Sequence, residues 1–311
     1  HAEGITMAGQ LTIRWIENDV NKFLNNLLKT KNVSYVVASD TDSIYIRLGE
    51  VVNKIFKDKS DTRKIVKVLD KFCEEKLQSF IDSSFERLAK YVNAYEQKMI
   101  MKREVIANKG IWTAKKRYIL NVFNEEGVDL KDPKLKIMGI EAVKSSTPAP
   151  CRVKIKEALK VIMTKDETAL IQFIDDFRVH FKKLRPEEIA YPRSCNNLKK
   201  YTSNTDIYQK SCPIHVRGAL LYNHQLKKRK LVKYEKVNEG DKIKFITLKE
   251  PNSLHENVIS FMTVLPPEFD LHKYIDYDEQ FNKSFLEPLK FILKAINWNF
   301  EKKASLEEFF G

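Results

Sequence analysis

The chain has 311 residues, 43% hydrophobic and 31% charged, with only 9 Gly and 10 Pro; this composition suits one large or two ordinary globular domains and excludes collagen-like and disordered classes. Fifty-five Lys and Arg stand against 42 Asp and Glu, a net charge of +13, which favours a polyanionic partner, nucleic acid ahead of anionic lipid. Cys73, Cys151, Cys195 and Cys212 form no CxxC pair and lack zinc-ligand spacing, so they read as reduced intracellular thiols; no apolar run reaches the roughly 20 residues of a membrane helix, and the start lacks a signal-peptide layout.

From Thr6 to about Lys29 the apolar residues Leu11, Trp15, Ile16, Val20, Phe23, Leu24, Leu27 and Leu28 recur at three- and four-residue steps, which predicts an amphipathic packing helix. Tyr35-Val36-Val37-Ala38, the polar cluster Ser39 to Ser43 and Ile44-Tyr45-Ile46 then read as strand, turn, strand. Asp61 is placed to cap a long helix reaching about Tyr95. Two β-rich stretches follow, Met99 to Ala107 and Ile111 to Asn124, with Asn108-Lys109-Gly110 expected as the turn between them, and a further strand is expected over Lys134 to Met138. After Thr147-Pro148 the pattern turns helical, over about Lys154 to Met163, Glu167 to Leu184, Pro213 to Gln225 and Phe281 to Asn297. The fold class is therefore α+β, an antiparallel sheet with packing helices followed by a mainly helical part, with the boundary near Gly139, giving 1–139 and 140–311.

The sharpest chemical feature is Asp40-Thr41-Asp42-Ser43 at the hairpin tip. Two carboxylates on a rigid turn are hard oxygen ligands suited to Mg2+ or Mn2+, which take carboxylates together with substrate phosphates. Alternation along a strand would point Asp40 and Asp42 the same way and Thr41 back into the sheet. As a bare string, however, DTDS is also ordinary turn chemistry.

The flanks decide between these. Val37-Ala38-Ser39-Asp40-Thr41-Asp42-Ser43-Ile44-Tyr45 resembles the motif C hairpin in the palm of family B DNA polymerases, and the surroundings narrow the likeness to the replicative polymerases of T-even-type bacteriophages. Ile5 to Asn26 is similar to the palm helix before that hairpin, and Ile111 to Tyr118 to the KKRY strand. Lys134 to Pro148 resembles the palm-to-thumb crossing, Cys212 to Gly218 a thumb segment, and Lys302 to Gly311 the tail that holds a sliding clamp. The likeness runs from end to end in one order.

The resemblance implies a palm portion over 1–139 and a thumb over 140–311, acting in template-directed nucleotidyl transfer with two Mg2+ ions, or Mn2+ in their place. Asp42 is implied as ligand to both ions, with Asp40 beside them; Ser39 stands where the family usually has Gly. Glu104 matches an acidic position, but Lys102 replaces the usual Asp of that strand, so Glu104 reads better as a surface or supporting residue. Lys115, Lys116, Arg117 and Tyr118 are implied to grip primer-template DNA, since cations at alternating strand positions can face phosphates. Lys144, Ser145, Ser146, His215 and Arg217 follow as backbone contacts. Leu306, Phe309 and Phe310 would anchor the clamp. The run Lys227 to Lys230 has no counterpart in the likeness.

No exonuclease domain, fingers, DxxSLYPS motif or KxxxNSxYG helix is found in the chain, and His1 to Ala8 corresponds to the stretch just past that helix. The expectation is a C-terminal portion, a split subunit or a fragment, inactive alone and completed by an N-terminal polymerase chain; nucleotides would bind only in that assembly. The place of action implied is the cytoplasm of an infected bacterium, with no membrane partner. A non-catalytic DNA-binding and clamp-tethering module is the alternative, and a metal-dependent nuclease a third reading.

Overall fold

The computed structural model describes residues 2–140, 144–203 and 206–301. The chain divides into two units, His1–Met138 and Gly139–Gly311. The first begins with α1 (Ala2–Leu28), in which Ile16, Val20, Leu24 and Leu28 recur every four residues and bury one stripe of the helix's second half. Residues 2–11, by contrast, are exposed. Strands β1 (Val36–Asp40) and β2 (Ser43–Ile46) pair antiparallel, with Asp40 opposite Ser43 and Ala38 opposite Tyr45. A short α2 (Gly49–Ile55) follows.

The long helix expected after Asp61 is built from α3 (Thr62–Phe72) and α4 (Gln78–Tyr91), joined without a break by one wide π-helical turn, Cys73–Leu77. Asp61 caps it, its carboxylate accepting from Lys64 N at 3.0 Å. Val66, Leu69, Ile81, Phe85 and Leu88 of this rod pack with the buried stripe of α1 in one apolar core.

Strands β3 (Val105–Ala114), β4 (Arg117–Glu125) and β5 (Val128–Met138) form an antiparallel meander. The turn expected at Asn108-Lys109-Gly110 is not there: β3 runs straight through it and reverses at Lys115-Lys116, with Lys116 in the left-handed region at φ 62°. Gly110 serves another purpose. A Cβ there would lie 2.7 Å from the Trp112 ring and 2.9 Å from Leu120 Cδ2, so its lack of a side chain makes room for an indole lying over the strand.

The second unit contains α5 (Ala149–Thr164), α6 (Glu167–Phe181), α7 (Pro186–Ile189), β6 (Tyr191–Ser194), α8 (Leu198–Tyr201) and α9 (Ile214–Lys228). Then come β7 (Lys242–Thr247), β8 (Val258–Phe261), α10 (Tyr277–Phe281) and α11 (Glu287–Ile296). Phe177, Phe181, Phe281 and Phe285 form an aromatic core, with the Phe177 and Phe285 rings 4.8 Å apart. The helices match the expected ones, but a three-stranded antiparallel sheet, in the order β6-β7-β8, is present as well, beyond what the local pattern predicts. The basic run Lys227 to Lys230 ends α9, where cations complement the helix dipole, and Arg229 donates to Gln225 Oε1 at 3.2 Å.

Candidate functional site

The carboxylate hairpin turns through Thr41 and Asp42. Thr41 takes a left-handed backbone at φ 51°, and Asp42 N donates to Asp40 O at 2.6 Å. Ser43 Oγ donates to the same carbonyl at 3.1 Å. Asp42 is thus a turn residue rather than the next-but-one residue of a strand, so strand alternation does not orient the pair. Thr41, expected to face the sheet, is exposed instead, and its hydroxyl donates to Asp40 Oδ1 at 3.2 Å. Asp40 is half-buried at the end of β1 and Asp42 is exposed at the tip.

Beside this tip lies the turn between β3 and β4. Lys116 Nζ stands 3.3 Å from Asp40 Oδ1. Lys115, Lys116 and Arg117 are all exposed. They fan out from a turn and the first position of β4, and do not alternate along a strand as expected. Tyr118, next in line, is buried and faces inward. Its ring joins Tyr45 of β2 at 5.2 Å, and Trp112 meets Tyr45 edge-on at 5.4 Å, so three aromatic rings couple the acidic hairpin to the basic one. Burial, a hydrogen bond with Tyr45 and the nearby charges of Tyr45, Glu104 and Asp40 push the Tyr118 phenol far above its ordinary value, which keeps it neutral.

Glu104 precedes β3 and forms an ion pair with Lys136 of β5, while Lys102 is exposed. Among the described residues no group of three or more His, Cys, Asp or Glu side chains is arranged to hold a metal ion. Asp40 and Asp42 are the acidic pair at the tip; Asp42 is exposed, while Asp40 Oδ1 already faces Lys116 and the Thr41 hydroxyl, so such a pair suits an ion whose remaining ligands come from elsewhere and that displaces Lys116.

In the second unit Lys144 and Ser145 are exposed and Ser146 half-buried, in a turn ahead of α5 where Thr147 N donates to Lys144 O at 3.2 Å. His215 sits in the first turn of α9 with its ring 6.1 Å from that of Phe245; burial, aided by the charge of Arg193, holds its pKa below the ordinary value. It is therefore neutral near pH 7 and can offer a hydrogen bond rather than a charge. Arg217 is committed within the unit: Nη2 donates to Asn257 Oδ1 at 2.7 Å, Nε lies 3.7 Å from Glu256 Oε2, and the guanidinium stands 5.8 Å from the centre of the Tyr208 ring. Leu306, Phe309 and Phe310 lie outside the described residues.

Two site residues escape a reading of the sequence. Asn21 and Asn25 on α1 bond the backbone leading into β1. The only signal for them is a pair of poor helix formers one turn apart on the flank of an apolar stripe.

No protein-family model matches this sequence. It is 36% identical over 324 residues to the DNA-directed DNA polymerase of Escherichia phage RB69, covering 100% of this chain and 35% of that protein. It is 32% identical over 327 residues to the DNA-directed DNA polymerase of Enterobacteria phage T4, covering 100% of this chain and 36% of that one. The chain spans about a third of the length of these curated relatives. The resemblance seen in the motifs therefore holds from end to end: the chain is similar to, and fits, a C-terminal portion of a T-even-type phage DNA-directed DNA polymerase.

Proposed function

We propose that this chain is the C-terminal palm and thumb of a family B DNA-directed DNA polymerase and takes part in nucleotidyl transfer when joined to the rest of such an enzyme. The observation that carries this reading is the Asp40 carboxylate 3.3 Å from Lys116, an exposed acidic tip set against an exposed basic turn within one unit. Asp42, with Asp40 beside it, would hold Mg2+ or Mn2+ together with a carboxylate from the N-terminal chain and the phosphates of the incoming nucleotide. Bound as a pair, such ions supply activation of the primer 3′-hydroxyl and stabilisation of the leaving pyrophosphate.

The chain's own residues then hold the duplex. Lys115 and Arg117, exposed at the turn, would meet phosphates, which fix register without reading sequence, and Lys116 would exchange Asp40 for a phosphate as DNA arrives. Within the second unit, Lys144, Ser145, Ser146, His215 and Arg217 would make backbone contacts of their own, Arg217 from a side chain also held by Asn257 and Glu256. Leu306, Phe309 and Phe310 would tether a sliding clamp and raise its effective concentration at the primer end. The partner chain would cover apolar surface including Ile5, 75% exposed, and Met7, 63% exposed, in an interface of roughly 2,000 Å² or more. The same reading makes the cytoplasm of an infected bacterium the place of action; no described helix is long and apolar enough to cross a membrane.

The rival is a non-catalytic DNA-binding and clamp-tethering module. Asp42→Ala separates the two in the assembled polymerase: extension is expected to fall to background while duplex affinity stays near the wild-type value. Extension unchanged by Asp42→Ala would leave only the binding module.

A further inference from the structure

The carboxylates at the hairpin tip need something to hold them in place. β1 and β2 form a sheet of only two strands, so its stability depends on what packs against it, here the core shared with α1 through Tyr35, Val36, Ile44 and Ile46. β1 is further interrupted by a register shift at Val37, which is 48% exposed. The aromatic contact with the meander is made from β2, through Tyr45. β1, the strand that ends in Asp40, meets the meander at its tip through the Asp40–Lys116 ion pair, and at its base it is gripped from α1.

There Asn21 Oδ1 accepts two backbone donors at once, Tyr35 N at 2.7 Å and Val36 N at 3.0 Å. One turn further on, Asn25 Oδ1 accepts from Val33 N at 3.0 Å while its Nδ2 donates to Val33 O at 2.7 Å. Tyr35 is fully buried, and its hydroxyl donates to Glu50 Oε2 at 2.9 Å. Asn21 follows Val20 of the buried stripe, on the part of α1 that is packed against the core, so the amide is presented by a rigid element.

Resting on the polymerase reading above, we propose that Asn21 is a positioning residue for nucleotidyl transfer: its side-chain oxygen fixes the direction in which β1 leaves α1, and through β1 sets the place of Asp40 and Asp42. Because the tip lies a whole strand beyond the anchor, a small tilt at Val36 becomes a larger displacement at the carboxylates, and displacements of about 1 Å at reacting groups are costly.

The test uses Asn21→Ala, which removes the acceptor but favours the helix, and Asn21→Asp, which keeps an oxygen in the same place. In the full chain, amide hydrogen exchange over residues 33–42 is expected to quicken about tenfold in Asn21→Ala, as loss of shared backbone hydrogen bonds would give, and to stay near the wild-type rate in Asn21→Asp. Peptides from α4 and β4 keep their rates in both. In the assembled polymerase, the Mg2+ concentration for half-maximal extension is expected to rise severalfold in Asn21→Ala with duplex affinity unchanged, and to return with Asn21→Asp. Unchanged exchange over 33–42, a quickening spread evenly through the unit, or Asn21→Asp behaving as Asn21→Ala would each overturn the proposal. An assembly that fails to extend even with the wild-type chain would count against the polymerase reading itself, and the exchange measurement would still decide the role of Asn21.

Discussion

At Gly218 the backbone of α9 lies against β8 so closely that a Cβ would stand 2.5 Å from Ser260 Oγ and 2.8 Å from Ser260 N. One of the two obstacles is main chain and cannot swing aside, so Gly218→Ala must part helix from strand. The expected cost is about 1–3 kcal/mol, read as a lower denaturant midpoint with an unchanged slope. Asp19 shows the electrostatic counterpart in the first unit. Burial opposes its charge, yet hydrogen bonds from Ser84 at 2.6 Å and Arg87 at 2.6 Å, with the charges of Arg87 and Lys22, outweigh burial and hold its pKa below the ordinary carboxylate value. The unfolded chain therefore binds the proton more readily. Stability from this group is present above about pH 4 and is lost as pH falls through the folded value. Asp19→Asn should flatten that acid limb of the thermal midpoint against pH; an unaltered acid limb would mean that other carboxylates carry it.

Elements that announce themselves locally are legible in the sequence. The β-branched and aromatic residues around Ser39 to Ser43 leave little choice but a hairpin, and Asp61 followed by a periodic apolar run is a helix start. What misleads is punctuation: Gly110 looks like a turn residue, and only the Trp112 ring above it shows that it clears space. The sheet of β6, β7 and β8 is illegible because two of its strands are four residues long and pairing joins Arg193 to Ile243, fifty positions away, a link no local period records. Misplacing the turn also misplaces the cations, since Lys115 and Lys116 occupy the real one. A turn tip presents them together, and this sharpens one expectation. Replacing Lys115, Lys116 and Arg117 with Ala should weaken duplex binding on any sequence and make the salt dependence shallower, by about one in slope for each phosphate no longer neutralised. An unchanged slope would move the DNA track off this hairpin.

On the scale of the whole molecule, the described residues supply two acids at one tip and no group of three to complete a metal site. The chain matches about a third of polymerases that work as longer proteins. Its +13 net charge suits a polyanionic partner, and the two units are each built of helices with small antiparallel sheets. The candidate site is readable down to its acids and cations; the contacts around it, from Asn21 to the backbone entering β1 and between Tyr45 and Trp112, are not, because each joins residues far apart in sequence. The measurement that bears most directly on this account is primer extension with Mg2+ and the four nucleotides by three samples: this chain, an N-terminal polymerase chain carrying the exonuclease, fingers and first palm motif, and the two mixed. Extension by the mixture and not by this chain is the predicted result. Extension by this chain alone, or a mixture that binds primer-template and adds no nucleotide beyond what the N-terminal chain adds by itself, would contradict it.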